Sequence, residues 1–374
     1  MFHFVQHDKC LPLKHYNLNR VFPFILLNMG ILKSMGKNPG GERLKKVQQS
    51  PNYREGIFQN LSKTTVMAEK GAFFKTFKKF LNKPKTTFPP RPIPSVKTDL
   101  KNLPDGNPVL VWFGHSSYLI KINGKHILVD PVFCGYASPF KMKSTSSFEG
   151  TNVYGVDDMP PIDILLITHD HYDHLDYTTV LKLNSKTKYI ITSLGVASHL
   201  EYWGFDMSKV TELDWHDSVE KIDGIKFTSA PARHFSGRSF ERAKTLWASF
   251  ILKTKDWSIY LGGDSGYGAH FKEIGEKHGP FDLAILESGQ YNEAWHNIHM
   301  MPEETVQASL DLKAKVLQPV HWGKFCLSLH PWNEPIERLT KKAEELNVTV
   351  TTPMIGEPLI VGEKYPAEKW WKQV

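Results

Sequence analysis

The stretch Thr168-His169-Asp170-His171-Tyr172-Asp173-His174-Leu175-Asp176 packs metal-binding residue types into one short loop. Imidazole and carboxylate suit zinc and neighbouring first-row ions. The order H-x-H-x-D-H aims donors in two directions, with His169 and His171 as one pair and Asp173 and His174 as the other. Neither pair completes a shell, so more donors must arrive from later in the chain. His234, Asp264 and His321 each stand just past an apolar, strand-like run, at residues 227–232, 257–263 and 314–320. Loops that follow strands collect at one edge of a sheet, where such residues meet. The chemistry open to a set of this kind is hydrolysis, because a bound divalent cation lowers the pKa of its water to about 7.

The elements that must position these residues are legible around them. Ile162-Asp163-Ile164-Leu165-Leu166-Ile167 reads as a buried strand delivering the metal loop. Before it, short strands are predicted over 109–113, 118–122 and 126–130, the last two joined by the tight hairpin signal Asn123-Gly124. After it come a helix over 176–184, a strand over 188–192 and a helix over 194–203 closed by Gly204. Asp214-Trp215-His216-Asp217 looks like a further cluster but falls outside the ligand order and reads as a capped turn.

Taken in order, Asp130, then His169/His171/Asp173/His174, then His234, Asp264 and His321 resemble the signature of the metallo-β-lactamase superfamily over roughly residues 105 to 362. The resemblance implies an α+β fold, an αββα sandwich with a two-metal site at one edge. It implies two Zn2+ ions, one held by His169, His171 and His234, the other by Asp173, His174 and His321, with Asp264 bridging. Asp130 would brace the metal loop without binding metal, and His115, in Gly114-His115-Ser116-Ser117, is either a similar support or a structural histidine.

Six further segments narrow the resemblance. They are Ala232-Arg233-His234-Phe235-Ser236-Gly237-Arg238, Leu246-Trp247-Ala248-Ser249-Phe250, Gly263-Asp264-Ser265-Gly266-Tyr267, Gly279-Pro280-Phe281-Asp282-Leu283-Ala284, His299-Met300-Met301-Pro302-Glu303-Glu304 and Val320-His321-Trp322-Gly323-Lys324-Phe325. Together they look like the N-acylphosphatidylethanolamine-hydrolysing phospholipase D family. That implies a zinc-dependent phosphodiesterase releasing phosphatidic acid and an N-acylethanolamine, with Asp173, Asp264 and His299 as catalytic candidates, and it implies a homodimer. His299 would orient the phosphate or donate to the leaving oxygen; its other reading is a capping role before the Pro302-Glu303-Glu304 helix start. Glu287, where the family carries an uncharged residue, departs from the pattern, and a carboxylate there would repel a phosphate unless it is turned aside or acts as a proton acceptor. Tyr291 joins Asp130, His115 and Glu287 among the residues expected near substrate or behind the ligands.

Composition bounds the rest. With 374 residues, 41% hydrophobic and 12% aromatic, the chain has material for a large core. A net charge of +7 favours anionic partners such as lipid headgroups or nucleic acid, although scattered lysines give the same sum, and the resemblance implies a phospholipid or other small anionic substrate. Three cysteines, Cys10, Cys134 and Cys326, make no disulfide framework and permit an intracellular compartment. Val21-Phe22-Pro23-Phe24-Ile25-Leu26-Leu27 is at most a weak export signal, broken by proline and followed by no cleavage site. Residues 1–50 read as an irregular leader with solvated charge at Arg43-Leu44-Lys45-Lys46, in which His3, His7 and His15 match no metal pattern. Residues 51–104 read as an extension. Within it, Phe73, Phe74, Phe77, Phe80 and Leu81, interleaved with lysines, predict a basic amphipathic helix over 70–83, packed on the main domain or lying in a headgroup layer as a peripheral membrane contact. A Pro-rich connector, 88–94, leads into a hydrolase domain spanning 105–374.

Two other functions stay open at this stage: a lactonase or amidase on the same ligands, and a binding module that uses metal only to hold its fold. Loss of ligands would mark the second, and none is lost. No added domain or basic arm for gripping a polynucleotide comes after the motif, so nucleic acid is not an expected partner.

Overall fold

The computed structural model describes residues 30–66 and 82–374. The predicted basic helix over 70–83 lies outside them apart from its last two residues, as does the leader before Gly30.

The apolar runs build two sheets. The first contains β3 (Val109–Trp112), β4 (Tyr118–Ile122), β5 (Lys125–Val129), β6 (Ile162–Ile167), β7 (Thr187–Ser193), β8 (Val210–Leu213) and β15 (Pro358–Ile360), in the order β15-β3-β4-β5-β6-β7-β8. Strands β3 to β5 form an antiparallel meander, and β5 to β8 run parallel. The second contains β9 (Ser218–Ile222), β10 (Ile225–Ala230), β11 (Ser249–Lys253), β12 (Ser258–Leu261), β13 (Leu283–Glu287) and β14 (Leu317–Val320), in the order β14-β13-β12-β11-β10-β9. It repeats the plan, antiparallel from β9 to β12 and parallel from β12 to β14. A small hairpin, β1 (Tyr53–Arg54) with β2 (Ile57–Phe58), precedes both.

Parallel neighbours need crossovers, and helices supply them except between β5 and β6, where a long loop with two 3-10 turns makes the connection. In the first sheet these are α2 (Tyr177–Leu183), whose N-cap Asp176 accepts the Thr178 N–H, and α3 (Ala197–Tyr202); in the second, α4 (His270–His278) and α5 (Pro302–Asp311). Further along, α6 (Glu334–Leu346) joins α5 through Arg338 and Glu303, 2.7 Å apart. Strand β6 shows why the layers form: Ile164 and Leu166 face the other sheet with Phe227 and Phe250, whereas Leu165 and Ile167 face Val180, Leu183 and Leu200 under the helices. Both faces are apolar, so both must be covered. Each such side chain, wholly buried, contributes roughly 1.5–3 kcal/mol. The result is the expected helix-sheet-sheet-helix sandwich.

The predicted elements of this domain are present with small shifts at their ends, and Asp214 to Asp217 forms the expected turn, the Asp214 N–H donating to the Asp217 carboxylate at 3.0 Å. The leader differs from its reading. Residues Gly41–Gln48 form a helix, α1, with Val47 fully buried, and the charge read as solvated is committed: Arg43 pairs with Glu201 at 3.1 Å and with buried Glu212. Local composition favoured a linker there, and partners far along the chain override it. At the other end Trp370 stacks on Trp322 at 5.2 Å, and Trp322 on Trp112 at 5.6 Å, filling the core directly behind the His321 loop.

Candidate metal centre

Every ligand candidate leaves a strand at the same edge. The loop after β6 carries residues 168–174, the turn between β3 and β4 carries His115, and the ends of β10, β12 and β14 lead to His234, Asp264 and His321. The two sheets are knitted here by backbone: the His115 N–H donates to the Trp322 carbonyl at 3.0 Å and the His321 N–H to the His115 carbonyl at 2.9 Å. His115, Asp130 and His321 all hold left-handed backbone conformations, with φ of 54°, 41° and 66°. Each costs of order 1–3 kcal/mol, and such strain concentrates at sites that need a side chain aimed in one direction.

The side chains resolve into two main groups on either side of Asp264, with Asp264, His299 and His321 forming a third, overlapping set. In one, His169 Nε2 and His171 Nδ1 stand 2.9 Å apart, His234 Nε2 lies 3.2 Å from the same His171 nitrogen, and Asp264 Oδ2 is 3.9 and 3.7 Å from His169 and His234. In the other, Asp173, His174 and His321 gather with His115; Asp264 Oδ2 is 3.2 Å from His174 Nε2, and its Oδ1 is 3.2 Å from His321 Nδ1. Donor atoms within each group lie within 4.8 Å of one another. Burial holds the imidazoles of His169, His234 and His321 well below the ordinary histidine value, which keeps them neutral. Against the burial that opposes ionisation, His174 holds the Asp173 and Asp264 carboxyls well below the usual range. Neutral imidazoles and ionised carboxylates are the forms that ligate metals, so His174, which against its burial Asp264 and Asp173 hold well above the ordinary histidine value, would give up a proton on binding one. The buried atoms His174 Nε2 and Asp264 Oδ1 make no hydrogen bond of their own, so the donor set suits a pair of divalent cations.

The supporting residues are as specific as the ligands. Asp130 accepts from the Thr168 N–H at 2.9 Å, from its hydroxyl at 2.6 Å and faces His174 Nδ1 at 2.8 Å. His115 Nε2 lies 2.8 Å from Asp173 Oδ2, which places His115 against the second group. Sequence reasoning missed four others. Asp170, inside the motif, turns away from the metals to bind His199 at 3.0 Å, the Gly237 N–H at 2.7 Å and the Thr245 hydroxyl at 2.8 Å. Arg238 is buried under the loop and donates to the carbonyls of Asp170 and Leu175, each at 2.7 Å. Ser116 sits 2.9 Å from His321 Nδ1, and Asn60, from the extension, clamps the His234 backbone on both sides at 2.8 and 3.1 Å. Asp170 carried a signal as a carboxylate between two ligand histidines and Arg238 as the last residue of a family-like segment; Asn60 carried none.

Beyond the ligands, Glu287 ends β13 fully buried, accepting the Met300 N–H at 2.7 Å and facing His299 Nδ1 at 3.4 Å. Burial pushes its carboxyl up to about 7, with His299 opposing. It is turned to His299, and the nearby Asp264 carboxylate also raises it. His299 meets His234 edge-on at 5.0 Å and stacks on His321 at 5.3 Å, facing both groups. Tyr291 goes elsewhere: its hydroxyl donates to Glu334 at 2.6 Å and its ring stacks on His330.

A groove of about 540 Å3 opens at His234. Its walls are apolar at Ile57, Phe58, Leu61 and Phe235 and cationic at Arg54, Lys63 and Arg242. Leu61 is 60% exposed on its rim. No helix among the described residues is long and apolar enough to cross a membrane.

Comparison with known proteins places this architecture. The chain is 38% identical over 330 residues to an uncharacterised protein of Mycobacterium tuberculosis, covering 87% of this chain and 88% of that one. It is 29% identical over 269 residues to N-acyl-phosphatidylethanolamine-hydrolyzing phospholipase D 1 of Caenorhabditis elegans, covering 66% and 74%. In fold it is similar to Igni18, a metallo hydrolase from Ignicoccus hospitalis, with a TM-score of 0.53 and 20% identity over 69% of this chain and 100% of that one. The family model for the beta-lactamase superfamily domain matches residues 125–322, the span from β5 to the His321 loop. With that match on the strands and loops that carry the ligands, the chain belongs to the metallo-β-lactamase superfamily of metal-dependent hydrolases.

Proposed function

We propose that the protein is a phosphodiesterase of phospholipase D type acting on N-acylphosphatidylethanolamine-like lipids. The observation that carries the reading is the groove at His234, in which apolar walls for acyl chains alternate with Arg54, Lys63 and Arg242 for a phosphate-bearing headgroup. His169, His171 and His234 would hold one cation, and Asp173, His174 and His321 the other, with Asp264 between them. When bound, two zinc ions supply an activated water at neutral pH and neutralise an anionic substrate. The chain's own residues do the rest. Asp130 and His115 orient His174 and Asp173, Asn60 holds His234 at the groove mouth, and His299 faces the space in front of both groups. A lipid substrate calls for a peripheral site of action, and residues 62–66 on the groove wall run in sequence into the stretch 70–83, whose phenylalanines and lysines suit a headgroup layer.

The test uses the zinc-loaded protein with N-acylphosphatidylethanolamine in mixed micelles, bis(p-nitrophenyl) phosphate and an acyl lactone. Release of N-acylethanolamine together with phosphatidic acid supports the proposal. Turnover of the lactone alone dismisses it in favour of carbonyl hydrolysis on the same ligands.

A further inference from the structure

Glu287 is a buried carboxylate at the site edge that the ligand scheme leaves without a task. Its carboxylate oxygens divide their work, one taking the Met300 N–H at 2.7 Å and the other facing His299 Nδ1 at 3.4 Å. The carbonyl of the same residue accepts the Thr305 hydroxyl at 3.0 Å, so β13 and the start of α5 hold the carboxylate in place. An ionised carboxylate only accepts hydrogen bonds, so the ring nitrogen that faces it must carry the proton. Against its burial, Glu287 raises the His299 imidazole above the ordinary histidine value; once that ring is neutral the other nitrogen, Nε2, is a lone pair, and it has no protein hydrogen bond among the described residues. The ring itself is fixed from two sides by His234 and His321.

We propose that Glu287 is a positioning residue that locks His299 in the Nδ1–H tautomer, so that Nε2 faces the substrate space as an acceptor and orients the attacking water. The logic is that of carboxylates that set the tautomer of a histidine from behind. The inference rests on His299 facing substrate, as in the proposed function, and not on the substrate being a lipid. It makes Glu287→Gln a sharp probe. Glutamine keeps the size, its oxygen can still take the Met300 N–H, and its amide then turns a donor toward His299. Nδ1 must accept, and the proton moves to Nε2, exchanging acceptor for donor where substrate sits without altering the shape of the site.

The experiment records long-range proton-nitrogen spectra of the zinc-loaded full chain with labelled histidine, in mildly alkaline buffer, with His299 assigned by its absence in His299→Asn. The expected wild-type signal is Nδ1–H, and the expected Glu287→Gln signal is Nε2–H. In parallel, kcat on bis(p-nitrophenyl) phosphate should fall about 10- to 100-fold in Glu287→Gln, with KM and zinc content little changed, and Glu287→Asp should restore part of it. A wild-type Nε2–H tautomer overturns the proposal even if the variant fails to fold, and so does a Glu287→Gln enzyme with the switched tautomer and undiminished kcat. Should the protein cleave no phosphodiester, the phosphodiesterase reading falls while the wild-type tautomer still decides this one.

Discussion

The two metal-facing groups are built differently, although they share Asp264. The group of His169, His171 and His234 lies open to the groove: His171 is part-exposed, His234 lines the cavity, and His234 is steadied by Asn60 from the N-terminal extension. The group of Asp173, His174 and His321 lies at the joint between the sheets. There the His115 N–H donates to the Trp322 carbonyl and the His321 N–H to the His115 carbonyl, Ser116 and Asp130 face ring nitrogens, and tryptophans pack behind. The open group adds the Asn60 contact of the extension to the Ile298 carbonyl at His234 Nδ1 and the Thr168 hydroxyl at His169 Nδ1, whereas the enclosed one is woven into both halves of the fold. Substrate is thus expected to arrive at the first group, with the second as the anchored partner.

Removing what the groups share should have the largest effect. Chelation, or Asp264→Asn, should lower hydrolysis by at least about a thousandfold, with zinc restoring activity only to the chelated wild type; kcat/KM and metal content measured together check this. Next come the residues that hold one group each. His115→Ala leaves Asp173 without its partner and should cost about 10- to 100-fold in metal affinity at the enclosed group, whereas Asn60→Ala should shift affinity by less than that at the open one. Competition with a chromogenic chelator separates the two, and equal losses would erase the contrast. Asp170→Asn acts beneath both groups: it weakens buried bonds to His199, Gly237 and Thr245 and should lower unfolding stability by about 1–3 kcal/mol in urea.

Smaller effects sharpen the groove side. Lys63→Glu or Arg242→Glu should raise KM for anionic lipid vesicles about fivefold per site at low salt, fading as salt rises, with a soluble diester nearly unaffected. The least effect belongs to the pair between α5 and α6, remote from both groups. Burial works against ionisation of Glu303, but Arg338 outweighs it and holds the carboxyl below the usual range. The pair therefore stabilises the fold above the ordinary glutamate pKa, and that contribution disappears as pH falls through the lowered one. Because both side chains are more than a third exposed, Glu303→Gln should cost no more than about 0.5 kcal/mol at neutral pH, with activity unchanged.

How much was legible depends on the range of the interactions. The ligands His169, His171, Asp173 and His174 announce themselves because four donors fall within one loop, and His234, Asp264 and His321 because each ends an apolar run whose period is local. The layered fold is likewise written in β6, apolar on both faces and hence covered on both. What the chain did not disclose by itself lies between residues far apart in it. Asn60 reaches His234, Arg43 reaches Glu212, and Asp170 reaches His199, each pairing a polar group whose partner no local pattern names. Sequence alone determined which side chains could bind metal and which strands would deliver them, since ligand chemistry and hydrophobic period are properties of neighbours. Only the tertiary structure decided that the donors split into an open and an enclosed group and that Glu287 faces His299, because burial and backbone strain at the joint exist only once both sheets are in place.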